Sequence, residues 1–228
     1  APVASVLRPT QSHFEVLPAN GDLTAAEVEL LAVDNREQRL RTALASISGS
    51  HDYVLVDCPP SLNMLTINAL VAADGVIIAM QCEYFALEGL AALVRTIEGV
   101  AETANPRLVI DGILRTMYDP RNSLTTDVSA QLRAHFGDTV YRTVVPRNVR
   151  LAEAPSHGVP AMYYDRHSRG SKAYMALAGE IIRRAEQRTA PPLSFMARRG
   201  CCSAPGRTSR TAANAAPAAT AVAASGRR

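Results

Sequence analysis

One stretch, Tyr53-Val54-Leu55-Val56-Asp57-Cys58-Pro59-Pro60, sets the terms for the rest of the chain. Four apolar residues without alternation predict a strand buried on both faces, as in a parallel sheet covered by helices. Pro59 and Pro60 lack the N–H that a central ladder needs, so the strand stops there. Asp57 then sits at the carboxyl end of a buried strand, where open α/β sheets hold their ligands. A carboxylate in that place must be solvated, hydrogen-bonded or close to a cation. In phosphate-handling sites the cation is often magnesium, held through water by such an Asp. The blander reading is that Asp57 only caps a helix beginning near Ser61.

The same alternation of periods runs along the chain. Short-period runs predict strands over 14–17, 76–80, 108–116 and 139–145, besides Tyr53–Asp57. Helical spacing predicts helices over 25–32, 36–47, 62–73, 85–104, 125–136 and 171–187. Strands alternating with helices mean an α/β domain with a mostly parallel sheet and helices on both faces. Three loops should meet at the carboxyl ends of the strands, 57–61, 81–84 and 116–120, and 146–151 should join them.

Bulk properties narrow the class. The 228 residues are enough for one domain with a full core, and 47% hydrophobic with 20% charged residues suits a globular chain. No apolar run approaches the ~18 residues that span a bilayer. No basic-then-apolar leader opens the sequence, so the expected compartment is the cytoplasm. The first residue is Ala rather than Met, which leads us to expect a segment upstream. Cys58, Cys82, Cys201 and Cys202 form no C-x-x-C pair and no zinc spacing with His; Cys58 and Cys82 read as buried thiols. The net charge of +3 conceals an asymmetry: residues 189–228 hold six arginines and no acid, and without them 18 basic residues face 21 acidic ones, a net of −3. This tail of Ala, Pro, Ser, Gly and Arg cannot bury enough apolar area to offset its ordering entropy. The reading is therefore a domain over 1–188 and a disordered tail over 189–228. The tail could attract nucleic acid nonspecifically. His157 in Pro-Ser-His-Gly has no nucleophile and third partner in view, so it reads as a turn residue. Glu83 and Glu88 read as a helix start and a solvated face.

Several long motifs now point to one family. The segments Asp52-Tyr53-Val54-Leu55-Val56-Asp57-Cys58-Pro59-Pro60-Ser61-Leu62, Asn68-Ala69-Leu70-Val71-Ala72-Ala73-Asp74 and Gln81-Cys82-Glu83-Tyr84-Phe85-Ala86-Leu87-Glu88-Gly89-Leu90 closely resemble ParA/Soj chromosome-partitioning ATPases. So does Val145-Pro146-Arg147-Asn148-Val149-Arg150-Leu151-Ala152-Glu153-Ala154-Pro155-Ser156-His157-Gly158, and the likeness runs over 14–184. The resemblance implies a deviant P-loop NTPase of the MinD/ParA type. Such proteins bind ATP and magnesium, form a homodimer around two nucleotides, and bind DNA nonspecifically. A ParB-like partner stimulates their hydrolysis, and they associate with the nucleoid rather than the membrane. By this likeness Asp57 is the Walker B carboxylate, holding magnesium through water, and Cys58 to Leu62 open the second switch segment, with Pro59 and Pro60 beside the cofactor. Pro146 and Asn148, with Met117 beside them, resemble the wall around the adenine. Arg121 and Arg150 match positions of DNA-contacting arginines.

The departures are large. The family begins with a strand and a Gly-rich loop ending in Gly-Lys-Thr or Gly-Lys-Ser, whose N–H groups and Lys hold the phosphates. Lys172, in the last helix, is the sole lysine of this chain, so the P-loop strand and its neighbour are expected to be missing. ATPase chemistry would then belong to the complete protein, and a nonfunctional remnant is the plainest alternative. A MinD-like membrane cycler would need an amphipathic C-terminal helix, which 189–228 does not spell. An iron-protein-like carrier would need cluster-ligating cysteines. In the family the Tyr53–Asp57 strand has partners from the missing segment on both sides. It should therefore be unpaired on at least one side here, with a poorly soluble chain as the consequence.

Overall fold

The structure is a computed structural model of the chain. It describes residues 2–47, 49–59, 61–84, 86–189 and 220–226, of which 189 and 220–226 are described by backbone alone. In chain order the elements are α1 (Val3–Val6), β1 (Arg8–Pro9), β2 (Glu15–Val16), α2 (Asp22–Leu30), α3 (Arg39–Leu44), β3 (Tyr53–Asp57), α4 (Met64–Ala72), β4 (Gly75–Gln81), α5 (Ala86–Thr103), β5 (Val109–Tyr118), α6 (Ser123–Phe136), β6 (Val140–Pro146), α7 (Val149–Glu153), α8 (Ala161–Tyr164), α9 (Arg169–Thr189) and β7 (Thr220–Gly226). The main sheet runs β3-β7-β4-β5-β6, and β1 and β2 pair separately. Strands β4, β5 and β6 are mutually parallel. Strand β7 is antiparallel to both β3 and β4, so β3 points the same way as the parallel group.

The parallel group is buried on both faces, because helices cover both. Val76, Ile78 and Met80 of β4 and Ile113 of β5 pack against Leu70 and Val71 of α4, Leu90, Leu93 and Ile97 of α5, and Val128 and Leu132 of α6. Residues one step along the same strands, Ile77, Leu114, Tyr141 and Val145, turn to the other face and meet Leu177 of α9. The continuous apolar runs of β4 and β5 are the sequence form of this two-sided burial. Gly112 lies where β5 passes Tyr141 so closely that a Cβ would strike the ring. Asn68 ties the N-terminal segment to this core: its carboxamide oxygen accepts from Leu40 N–H at 3.1 Å and its NH2 donates to Arg36 O at 2.8 Å.

Three expectations need correction. Strand β3 is not buried on both faces: Tyr53 is 43% and Leu55 66% exposed, and burial alternates along the strand. The reason is position, since β3 ends the sheet and pairs on one side only, with β7. That single-sided pairing agrees with the expected loss of a neighbour. The tail, read as structureless, contributes β7 to the centre of the sheet; residues 190–219 and 227–228 lie outside the described residues. The N-terminal elements also differ from their patterns: β2 keeps two residues of the expected 14–17, α3 keeps six of the expected 36–47, and α2, shifted toward the start of the chain, buries none of its residues.

The other end of the sheet is closed by charge. The Glu180 carboxylate on α9 accepts from the backbone N–H groups of Arg142 (2.9 Å) and Thr143 (3.0 Å) and from the Thr143 hydroxyl (2.8 Å). Arg184, one turn on, pairs with Glu180 at 3.1 Å and lies 4.1 Å over the Tyr141 ring. Burial pushes the Glu180 carboxyl up, but the bonds from Arg142, Thr143 and Arg184 outweigh it and hold it below its ordinary 4.5. A folded-state value below the unfolded one contributes stability above the unfolded value, and loses it as pH falls through the folded one. Replacing Glu180 by Ala should cost about 2–4 kcal/mol in urea unfolding near pH 7, because two strand N–H groups lose their acceptor. The gap to the unmodified chain should shrink as pH drops below 4.5; a gap constant with pH would disprove the role given to the carboxylate.

Candidate functional site

The carboxyl ends of β4, β5 and β6 lie side by side. The register carries Gln81 opposite Thr116 and Tyr118 opposite Pro146, and Arg147 N–H donates to Tyr118 O at 3.3 Å. The loops after β5 and β6 therefore lie side by side, with Met117 one residue before Tyr118 and Asn148 two residues after Pro146. Met117 has φ +51°, in the left-handed region, and is 43% exposed. For a residue with a Cβ that backbone costs about 1–2 kcal/mol, and such strain gathers at functional loops. Asn148 is extended and caps α7, its oxygen accepting from Arg150 N–H at 3.0 Å.

Asp57 stands apart from that group. It pairs with Val222, which on its other side pairs with Ile77. Asp57 is thus level with Ile77 rather than with Gln81, four residues short of the end of β4, or roughly 13 Å at the rise of a strand. Two strands, β7 and β4, separate it from β5. It does not cap the following helix, because Asn63 does: Thr66 N–H donates to the Asn63 carboxamide at 3.0 Å. Pro59 is exposed, and Pro60 lies outside the described residues. The Cys58 thiol is buried and pushed up to about 11, chiefly by burial and then by the Asp57 charge. It is a packed thiol, not a nucleophile.

Among the described residues no three His, Cys, Asp or Glu side chains gather as a metal site. Magnesium is commonly bound by one or two carboxylates together with substrate phosphates. The exposed Asp57 fits that role as one contributor and cannot supply the site alone. A groove of about 1040 Å³ lies elsewhere, at the amino-terminal ends of β5 and β6 beside α9, among Asp111, Arg142, Glu180, Arg183 and Arg188.

Both arginines matched to DNA contact are on the surface, and both are held by carboxylates. Arg121 grips Asp119 through Nε at 3.0 Å and Nη2 at 2.7 Å. Arg150 reaches Glu153 at 2.9 Å and Asp165 at 3.5 Å. The same Glu153 accepts from Tyr164 at 3.2 Å, and the Tyr164 ring stacks on His157 with centroids 4.7 Å apart. His157 is thus part of a surface packing cluster, in keeping with its reading as a turn residue.

One residue was missed. Arg115 of β5 is 1% exposed and donates to Ser129 Oγ (2.8 Å), Tyr141 O (2.7 Å) and Arg142 O (3.2 Å). Its Nε has no acceptor among the described residues. Burial first, then the Arg133 charge, lowers its basicity. The guanidinium ties β5, β6 and α6 together two residues before Met117. The signal was an Arg inside an apolar strand, which is costly unless its donors are satisfied.

Comparison with known proteins places this arrangement. Residues 2–110 match the AAA domain family. An uncharacterized Pseudomonas putida protein is 66% identical over 171 residues, covering 75% of this chain and 65% of that protein. The Caulobacter vibrioides chromosome partitioning protein ParA is 52% identical over 193 residues, covering 83% and 72%. Among solved structures, cobyrinic acid a,c-diamide synthase from Mycobacterium smegmatis with bound ADP and magnesium is 34% identical with TM-score 0.69, covering 82% of this chain and 69% of the other. The fold is that of the MinD/ParA-type P-loop NTPases, an α/β sheet with a parallel core. With about half its residues shared across most of its length, the chain belongs to the ParA/Soj family of chromosome-partitioning proteins. It spans 65% of the length of its Pseudomonas putida relative.

The exposed Asp119–Arg121 pair gives a direct check on the loop geometry. Hydrogen bonds from Arg121 hold the Asp119 carboxyl at about 2. In the Arg121→Ala variant it should return toward ~3.9 in a carboxylate NMR titration. A carboxyl that still titrates near 2 would mean that Arg121 does not hold it.

Proposed function

We propose that this chain is part of an ATP-dependent partitioning ATPase of the ParA type, which works as a nucleotide-bridged homodimer. The observation that carries the reading is its 52% identity to Caulobacter vibrioides ParA over 193 residues. In this reading Met117, Pro146 and Asn148 receive the adenine: apolar contact on one side, and the Asn148 NH2 as a directed donor. Asp57 would hold magnesium through water, and the ion would supply charge neutralisation at the phosphates. The phosphate-holding Gly-Lys-Thr or Gly-Lys-Ser is not among the 228 residues. The complete site therefore needs that loop from elsewhere in the protein. Arg121 and Arg150 meet DNA phosphates in the dimer, a contact without sequence preference. A ParB-like partner stimulates hydrolysis, and the setting is the nucleoid in the cytoplasm. No helix of the described residues is long and apolar enough to cross a membrane. The C-terminal stretch that a membrane cycler would use lies mostly outside the described residues.

Two measurements test this. The 228-residue chain alone should give no heat on titration with ATP and magnesium, and micromolar binding would overturn the assignment of the phosphates to a separate loop. A chimera carrying a relative's Gly-Lys-Thr segment ahead of Ala1 should bind and hydrolyse ATP, and Asp57→Asn should then cost roughly 10–100-fold in rate; an unimpaired Asp57→Asn chimera would remove Asp57 from the site. In the same chimera Arg121→Ala and Arg150→Ala should each weaken binding to any DNA and lower the salt slope by about one. An unchanged slope would sink the phosphate contacts.

A further inference from the structure

The groove beside α9 lies at the opposite end of the sheet from β3, and every residue that lines it falls within 109–188. On α9 the lining takes Met175, Gly179, Arg183 and Gln187, spaced four apart and therefore on one flank of the helix. From Met175 to Arg188 that flank is roughly 20 Å long at the helical rise. The volume of about 1040 Å³ stands at the upper limit of the roughly 300–1,000 Å³ usual for small-molecule pockets. An extended segment of about six residues spans the same length. The dimensions suit a stretch of polypeptide better than a small ligand.

The charges of the lining narrow the occupant further. Glu180 is taken by Arg184 and by the N–H groups of Arg142 and Thr143. Asp111 is taken by Arg188. Arg142 on the β6 wall and Arg183 on the α9 wall are exposed and make no ion pair among the described residues. The Arg183 guanidinium lies back along its helix, with Nη1 3.3 Å from where a Cβ on Gly179 would stand. Apolar surface shares the lining: Met175 is 56% and Val109 45% exposed. Asp138, at the turn into β6, is the remaining carboxylate of the lining. A continuous run of phosphates would meet Asp138. A segment that sets single acids on the two arginines and apolar side chains on Met175 and Val109 avoids it. The occupant does not join the sheet, because Glu180 already holds the N–H groups of Arg142 and Thr143. Side chains must hold it instead.

We propose that this groove is a docking site for an acidic, extended segment of a partner protein, with carboxylates of that segment on Arg142 and Arg183. The planar fork of an arginine meets a carboxylate through two parallel hydrogen bonds. The groove opens at the amino-terminal ends of the strands, away from the loops after them, and the proposal stands independently of the ATPase reading.

The test uses the full chain and a fluorescein-labelled peptide, Glu-Leu-Glu-Glu-Leu-Glu, followed by anisotropy at low salt. The peptide should bind saturably and slow hydrogen exchange along α9. Arg142→Glu and Arg183→Glu should each weaken binding roughly tenfold, and added salt should narrow that gap. Arg95→Glu makes the same charge change on α5, across the sheet from α9, and should leave binding as it is. A peptide with Lys in place of every Glu should not bind. Absence of saturable binding to the parent chain overturns the proposal. So does undiminished binding by the double variant, or a loss in Arg95→Glu as large as in the groove variants. A short DNA duplex that binds through Arg142 and Arg183 while the peptide stays free overturns the choice of an acidic segment. Peptide bound without protection of α9 overturns the location. That last measurement needs only the parent chain, so a variant that fails to fold does not blunt the test.

Discussion

The backbone hydrogen bonding of β3 is what the rest of this structure depends on. A five-residue strand that carries the key carboxylate has one neighbour, and that neighbour comes from the far end of the chain. Each backbone group left unpaired away from water costs on the order of 1–3 kcal/mol, against a native margin of about 5–15 kcal/mol. The parallel group β4–β5–β6 does not share this exposure. Its strands pair with one another, and its apolar residues reach both helical layers. The fold therefore divides into a self-sufficient parallel core and a first strand whose place depends on a donated partner. The exposure of Tyr53 and Leu55 follows directly from that position.

The two ends of the sheet are handled by different chemistry. At β6 a buried carboxylate takes the place of a next strand: Glu180 accepts two N–H groups that would otherwise face outward. Arg184 keeps the carboxylate paired, and Arg188 pairs with Asp111 beneath it. This blocks pairing of a further strand without burying an unbalanced charge. At β3 no comparable device exists among the described residues. The contrast leaves β6 capped by side chains and β3 exposed along its outer edge.

Much of this was legible in the sequence, for reasons that separate cleanly. Strands β4, β5 and β6 and helices α4, α5, α6 and α9 were readable because two-sided burial writes continuous apolar runs and helical stripes into local sequence. Strand ends at Pro59 and beyond Val145 were readable because proline is local chemistry. The long motifs carried the family. The exposure of β3 was not readable, since an apolar run reports composition and not the presence of neighbours. Strand β7 was hidden for the same reason: its pairing with Tyr53–Asp57 spans most of the chain, and Ala-rich composition resembles a linker. Asn63 displaced Asp57 as the cap of α4 because it lies three residues before the N–H of Thr66, a spacing that the prolines drew attention away from. In the candidate site Met117, Pro146 and Asn148 were named through motif likeness alone. The carboxylates beside Arg121 and Arg150 were in the sequence but not weighed as partners.

The height of Asp57 relative to the other loops follows from register. Helix α4 fixes the ends of β3 and β4, but the level of one strand against the other passes through β7, which pairs with both. Register is strongly specified where alternating large and small or polar and apolar residues must reach opposite faces. The level of Asp57 is thus set through β7 rather than by direct pairing with β4. The loops after β4, β5 and β6 are set instead by β4–β5 and β5–β6, where Gly112 against Tyr141 and the Arg115 clamp leave little freedom.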